Sequence, residues 1–432
     1  MSTFSTQNNV LDRSGETRGR ALPSDDAVRQ DYQLNCLNTV EQMQSLQREW
    51  EELENRTAGS FQYFQTYQWC VDWCRTFLAG AKEQQRTRPM IYTLVVDGKL
   101  AMIWPLVIQR QGSGIRLLTM LSDPLGQYAN ILADPDLVDP ALARQVWQSI
   151  RKTPGVDAIQ LLRFPTTSLV ADMLGNDGYE EKAVQEAHYF DFSAFDGWDD
   201  VHASLKRSAR KNRNNRRNKL AQCGTVAYEW AIGGTERYAE LVGAALEMKK
   251  VWLHEKGLHS SALSDELATG FLANLGGCAA RDGMPPQGAT AHVLTVDEKP
   301  VGVEIGMVLG SHYYSYLGAF DWQWRDCSPG IVQMEKTQQW AMENHIKTFD
   351  LLGDPAAYKS NWSNAVQPLR SVTVPTSLRG FVYAAVWRAR LRPALKRAAE
   401  AIGPDGRKTI KGLLKFSSGR PSASTSDDQK TS

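Results

Sequence analysis

The sequence predicts an α/β protein in which one structural unit occurs twice, and three observations carry that expectation. Tyr92–Lys99 (YTLVVDGK) and, two hundred residues later, His292–Lys299 (HVLTVDEK) are alternating apolar runs ending in an Asp-centred turn. Each leads into a second strand-like run, Leu100–Ile108 and Val301–Leu309. A helical pattern follows in each half, Pro140–Lys152 and Gly330–His345. Each helix then leads to a short apolar strand that stops at a proline, Ile159–Pro165 and Phe349–Pro355. Hairpin, strand, helix, strand, repeated with the same punctuation, marks an internal duplication.

A length of 432 residues allows two or three domains. Hydrophobic residues at 42% and charged residues at 22% exclude wholesale disorder and fibrous repeats. Charge is balanced, 49 Lys and Arg against 48 Asp and Glu. The longest apolar run, Leu100–Ile108, is about half a membrane span and contains Pro105, so no transmembrane helix is expected. The first twenty residues are polar and lack the apolar core of a secretory signal, which predicts a cytoplasmic protein. Residues 1–31 and 417–432 are rich in small polar residues and are expected to be disordered. Between them the reading places one unit at 32–197, a second at 198–378 and a basic amphipathic segment at 379–416.

No H-E-x-x-H, P-loop or Gly-x-Ser-x-Gly motif occurs, so metal, nucleotide and serine hydrolysis lose support. The 6 cysteines are scattered, without a Cys-x-x-Cys pair or a His at ligand spacing, and no metal is expected. Cys70 and Cys74 share a helix face beside Trp69 and Trp73 and read as small buried hydrophobes.

The two copies differ in chemistry. Before its helix the first has Leu132–Pro140 (LADPDLVDP), whose Asp134, Asp136 and Asp139 would repel a phosphate. The second has Phe320–Gly330 (FDWQWRDCSPG). A helix N-terminus offers unpaired N–H groups and a positive dipole end to an anion. Ser328 suits the cap, Pro329 the first turn, Gly330 a close backbone approach, and Arg325 adds a fixed charge. A well-capped helix that binds nothing fits the same residues; if either copy holds an anionic cofactor, it is the second.

From about Trp198 to Trp362 the chain resembles the GNAT-fold acyltransferases of the CelD/BcsL type. The resemblance rests on Ser204–Arg213 (SLKRSARKNR), Tyr313–Asp321 (YYSYLGAFD), Ser328-Pro329-Gly330, and Phe349–Asp354 (FDLLGD) followed by Tyr358, Lys359 and Trp362. Phe64–Trp69 (FQTYQW) extends it to the first half. It implies two tandem GNAT-like units, the N-terminal one degenerate. It further implies transfer of an acyl group, most often acetyl, from acetyl-CoA or another acyl-CoA to an amine or sugar hydroxyl. A bacterial cellulose or exopolysaccharide setting is implied as well. The cofactor loop would be Arg325, Ser328, Pro329, Gly330 and Ile331, with Ser328 where the family's loop has its first glycine. No covalent enzyme intermediate is needed.

Such a transfer requires a base, and an acid can serve the departing thiolate. Glu304 is the candidate base: period-two alternation sets it opposite its apolar neighbours and beside Gly302 and Gly306, which would clear space around the carboxylate. An edge-strand glutamate facing water is the alternative. Tyr314 and Tyr316, on one strand face with His312, are the candidate acids. Asp350, Asp354, Tyr358 and Lys359 follow the next strand, where open α/β sheets place ligands, and are read as acceptor-binding, with phosphate contact an alternative for Lys359. The acceptor, a small molecule or saccharide, is expected between the two units. His254, His259 and His345 have no partner in sequence, and Trp322, Trp324 and Trp340 read as packing.

Lys206–Lys219 holds a dense run of Lys and Arg without an acid, an electrostatic footprint for phosphates or a solvated helix face. It opens a second function class, a FemABX-type transferase, which pairs two GNAT-like folds and uses aminoacyl-tRNA. The absence of a long coiled-coil arm in the second unit weighs against nucleic acid. The 379–416 segment suits either peripheral contact with the inner membrane surface or packing on the domain. A third reading is a non-catalytic scaffold of an envelope-polysaccharide system.

Overall fold

The computed structural model describes residues 17–19, 31–391 and 394, except 58, 60, 80–85, 182–184, 259, 261–264, 282, 354, 355 and 357. Most of the two termini expected to be disordered, and the basic segment beyond 394, lie outside the described residues.

The first run of elements is β1 (Thr17–Gly19), β2 (Tyr32–Leu37), α1 (Val40–Ser45), α2 (Gln47–Thr57), α3 (Tyr67–Phe77) and the hairpin β3 (Thr87–Val96) and β4 (Lys99–Arg110). It continues with β5 (Arg116–Met120), β6 (Leu132–Ala133), α4 (Pro140–Ile150), β7 (Ala158–Pro165), α5 (Leu169–Leu174), β8 (Tyr179–Glu180) and β9 (Gln185–Asp191). The second run opens with α6 (Trp198–Ser204), α7 (Arg207–Ala221), β10 (Val226–Ile232), α8 (Glu236–Glu255), α9 (Glu266–Ala273) and β11 (Gly277–Cys278). The hairpin β12 (Gln287–Val296) and β13 (Lys299–Leu309), then β14 (His312–Phe320), lead through a 3-10 turn, Trp322–Cys327, to α10 (Pro329–Glu343) and β15 (Thr348–Asp350). A second such turn (Lys359–Asn361), β16 (Ala365–Pro375) and α11 (Leu378–Val382), which continues as the π-helical Tyr383–Leu391, end the described chain.

The duplication is visible strand by strand. In the first half β2, β3, β4 and β5 pair antiparallel, and β7 joins β5 in parallel after the α4 crossover. In the second, β10, β12, β13 and β14 pair antiparallel, and β15 joins β14 in parallel after α10. Both hairpins turn on two residues with positive φ, Asp97 and Gly98 in one and Asp297 and Glu298 in the other. That geometry matches the twist of the flanking strands.

All strands among the described residues belong to a single sixteen-stranded sheet, and its middle is an exchange. Strand β9, which precedes the second run, pairs with β15, whereas β16, which follows that run, pairs with β7. The two exchanged strands also pair with each other, from Ala365 opposite Tyr189 to Leu369 opposite Gln185. One face of the sheet carries a core shared by both halves: α1 to α3 pack with α8 and α9, and the Trp69 ring meets Phe271 edge-on at 4.8 Å. The other face has separate cores, one under α4 and α5 and others under α6, α7 and α10. The expected single face for the valines, Ile305 and Met307 of β13 needs a correction. A bulge opposite Leu294 and Thr295 moves Val301 out of the shared core into the cluster under α7 and α10.

The halves are also joined by buried polar bonds. The Tyr128 hydroxyl lies 3.0 and 2.9 Å from the two oxygens of Asp350, and both side chains are fully buried. Removing that hydroxyl leaves a buried carboxylate short of a donor, which costs about 2 kcal/mol. Tyr128→Phe is therefore expected to lower the urea unfolding midpoint, whereas Tyr179→Phe, at a half-buried ring, is not; equal midpoints for both would show that the bond contributes nothing.

Candidate active site

The N-termini of α4 and α10 occupy equivalent places, and only one is open. At α4 the Asp139 carboxylate accepts the Leu142 N–H at 2.7 Å, so the chain's own anion fills the helix end. At α10 the cap is Ser328, in the left-handed region at φ 53, and its side chain makes no cap bond. The expected hydroxyl cap is thus absent; the Ser328 carbonyl instead accepts the Ile331 N–H at 3.1 Å. Pro329 occupies the first turn as expected. Gly330 is exposed, and a Cβ there would meet only a Phe320 ring carbon at 3.6 Å. The glycine is not required by packing, and it leaves the helix end bare. Arg325 is exposed, donates to the Trp322 carbonyl at 3.2 Å and lies 5.5 Å from that indole.

A strand edge leads to this helix end. The parallel pairing of β14 with β15 stops at Tyr314 and Asp350, while β14 runs on to Phe320 beside its partner β13. Among the described residues β13 is the one strand that pairs with β14 past Tyr314, and the Gly318 carbonyl accepts Lys249 Nζ at 3.2 Å; a strand side without a ladder partner is a template for an extended amide-bearing chain.

Glu304 is neither at an edge nor beside a clearing. It lies on a central strand opposite His292, is 1% exposed and accepts from the Tyr313 hydroxyl at 3.3 Å. Gly306 makes room for the Tyr313 ring, whose oxygen would be 2.0 Å from an added Cβ, and Gly302 faces Gln333. Burial pushes the Glu304 carboxyl up to about 7, against bonds from Ser315 and Tyr313 that pull it down. Burial also holds His292 down at about 3; its ring nitrogens contact the Tyr228 hydroxyl at 2.9 Å and Thr290 Oγ1 at 3.1 Å.

Tyr314 and Tyr316 are bound to the first half. The fully buried Tyr314 oxygen accepts the Gln62 N–H at 3.1 Å, and the half-buried Tyr316 hydroxyl donates to the Leu125 carbonyl at 3.0 Å. Asp350 gathers the Tyr128 hydroxyl, the Leu352 N–H at 2.7 Å and His312 Nε2 at 3.3 Å. Tyr358 is exposed, but Lys359 is buried and its Nζ donates to the Leu352 carbonyl at 2.9 Å, bracing the turn rather than reaching outward. Asp354 and His259 lie outside the described residues.

The basic segment forms α7 and is only partly a solvated face. Arg213 is 5% exposed, with its guanidinium 3.8 Å from the Trp362 ring centre, and Arg217 Nε lies 3.5 Å from the buried Glu335 carboxylate. Asn212, Asn215, Arg216 and Lys219 line a shallow recess of about 220 Å³ on its outer side. The Lys219 Nζ donates to the Asp326 carbonyl at 2.8 Å, which sets this recess beside the open end of α10. Tyr128, His312 and His292 had no local signal in the sequence, because their partners are distant along the chain or across strands. Of the tryptophans, Trp340 is buried against His292 and Trp230, and Trp324 packs under α7. Among the described residues no group of three or more His, Cys, Asp or Glu is arranged to hold a metal, and no helix is long and apolar enough to cross a membrane.

The Glu304 environment has a readout independent of activity. Its carboxyl titrates near 7 when folded and near 4.5 when unfolded. Below the lower value both states are protonated and there is no penalty. Stability falls as pH rises through that window, and above the upper value the full cost, about 3 kcal/mol, applies. Glu304→Gln is therefore expected to gain about that much relative to the parent between about pH 4.5 and pH 8 in urea titrations. A difference that does not move with pH would place the titration elsewhere.

Comparison with known proteins bears on the same region. Residues 207–360 match the family model described as an acetyltransferase (GNAT) domain. Among solved structures, FemX aligns with a TM-score of 0.53 at 13% identity, covering 81% of this chain and 98% of its own. A tandem GNAT protein from the clavulanic acid biosynthesis pathway aligns at 0.44 and 11% identity, covering 80% and 99%. The C-terminal domain of a putative lysylphosphatidylglycerol synthetase from Agrobacterium fabrum aligns at 0.43 and 12% identity, covering 77% and 92%. No curated protein matches the chain. The chain has a mixed α/β, tandem GNAT-like fold, and residues 207–360 are the part that matches the acetyltransferase (GNAT) domain model.

Proposed function

We propose that this protein transfers an acyl group, acetyl in the first instance, from an acyl-CoA thioester to an amine or sugar hydroxyl. One observation carries the reading: β14, past the point where β15 stops pairing with it, leads through the Trp322–Cys327 turn to an uncapped helix N-terminus, whereas the equivalent helix end in the first half is closed by Asp139. The edge suits the amides of a pantetheine arm, and the first turn of α10, with Arg325, suits a pyrophosphate. Glu304 takes the acceptor's proton by way of the Tyr313 hydroxyl that donates to its carboxylate. A group near pH 7 is matched to that task. The acceptor lies toward Tyr358, exposed beyond β15. The CelD/BcsL resemblance supports an envelope-polysaccharide acceptor.

The recess on α7 favours a second reading, in which the donor is an aminoacyl-tRNA held by Arg216 and Lys219 beside the same helix end. Calorimetric titration separates the two. Acetyl-CoA is expected to bind in the micromolar range, at least tenfold more weakly to Gly330→Glu, with turnover in Glu304→Gln reduced about a hundredfold. Silence with acetyl-CoA and salt-sensitive binding of bulk aminoacyl-tRNA, weakened in Arg216→Glu, would replace this reading with the second.

Peripheral contact with an anionic membrane surface remains part of the proposal. It is supported by the exposed Leu378, Phe381, Val382 and Val386 with Arg379 and Arg390 alongside. Truncation after Arg379 is expected to reduce sedimentation with anionic liposomes without loss of turnover; unchanged sedimentation would remove the membrane contact.

A further inference from the structure

Cys223 and Cys327 are far apart in the chain, yet their sulfurs lie 3.4 Å from each other. Both thiols are free; Cys223 is exposed and Cys327 half-buried. Cys223 stands just beyond the end of α7 and its Sγ donates to the Lys219 carbonyl at 3.3 Å. Cys327 closes the 3-10 turn that leads into Ser328 and α10. The 2.8 Å bond from Lys219 to the Asp326 carbonyl holds the same two segments together, so their approach does not depend on the thiols alone.

We propose that Cys223 and Cys327 are a dithiol modification site, oxidised to an intramolecular disulfide by a low-molecular-weight disulfide such as oxidised glutathione. The more exposed Cys223 releases its proton to solvent, and its thiolate attacks one glutathione sulfur. The glutathione S–S bond breaks, and one glutathione departs as a thiolate. Cys327 then releases its proton and attacks the Cys223 sulfur; the mixed disulfide breaks and the second glutathione thiolate departs. The protein loses two electrons, the oxidant gains them, and the departing thiolates take up the two protons. The bond that Cys327 makes with Cys223 raises its thiol above the ordinary range, so the exposed Cys223 is the first to attack; that bond is lost once Cys223 is in the mixed disulfide. A disulfide closes the sulfurs to about 2.05 Å, a small movement from the present contact.

The product pins the end of the basic helix to the turn in front of α10. Its effect on anion binding rests on the reading of that helix end as the donor cradle; the cross-link itself does not.

The test treats the full chain with oxidised glutathione. The intact mass is expected to fall by two hydrogens, a Cys223–Cys327 peptide to appear, and the melting temperature to rise by roughly 5 °C. Amide exchange across 322–331 should slow, all reversibly with dithiothreitol and not in Cys223→Ser or Cys327→Ser. Separate glutathione adducts on the two cysteines, or linkage to another cysteine, would overturn the proposal. Acetyl-CoA affinity is expected to differ at least threefold between the two forms. Equal affinities with the cross-link present would overturn the coupling, whereas no binding in either form would overturn the cradle and leave the dithiol site standing.

Discussion

The carboxylate of Asp350 has no solvent, and a charge without solvent must be met by donors or it destabilises the fold. Its donors come from three places: Tyr128 in the first half, His312 on the neighbouring strand, and the Leu352 backbone just ahead. Asp350 is also the last residue at which β15 pairs with β14. The same side chain thus closes the parallel ladder, turns the chain that follows and joins the two halves. Tyr314 and Tyr316 add bonds of the same kind, reaching Gln62 and Leu125. These bonds, with the exchanged strands β9 and β16, make the halves one sheet rather than two neighbouring domains.

Duplication has kept one backbone in both copies while their helix ends came to differ. An acid at the cap satisfies the α4 helix end internally, and a serine in the left-handed region leaves the α10 end without a side-chain cap. The chain's own anion therefore sits on one helix dipole and not on the other. Tyr313 adds a second device. Its ring occupies the space beside Gly306, and its hydroxyl bonds Glu304 in a site dry enough to push that carboxyl close to neutrality. A histidine opposite it, kept neutral by the same burial, adds no competing charge.

The basic helix shows why composition alone misleads about surface charge. Arg213 and Arg217 are drawn inward by an indole face and a buried glutamate, leaving Arg216 and Lys219 on the recess. A run that looks uniformly solvated in the sequence is divided by helical periodicity between structural and open positions.

Local chemistry determined a good deal of this protein by itself. The paired hairpins, the helix after each, and the unequal loops before those helices are short-range patterns, legible because turns, caps and alternation act over a few residues. The α10 end and the differing loop of the first copy were read that way. What the sequence could not decide depends on contacts between distant segments. The exchange of β9 and β16, the Tyr128 and His312 donors around Asp350, the bulge that redirects Val301, and the Tyr313 ring beside Gly306 all belong to that class. So does the meeting of Cys223 with Cys327. Each is set by the sheet order and by the need to satisfy buried polar groups, and neither requirement leaves a mark on the residues that happen to be adjacent in the chain.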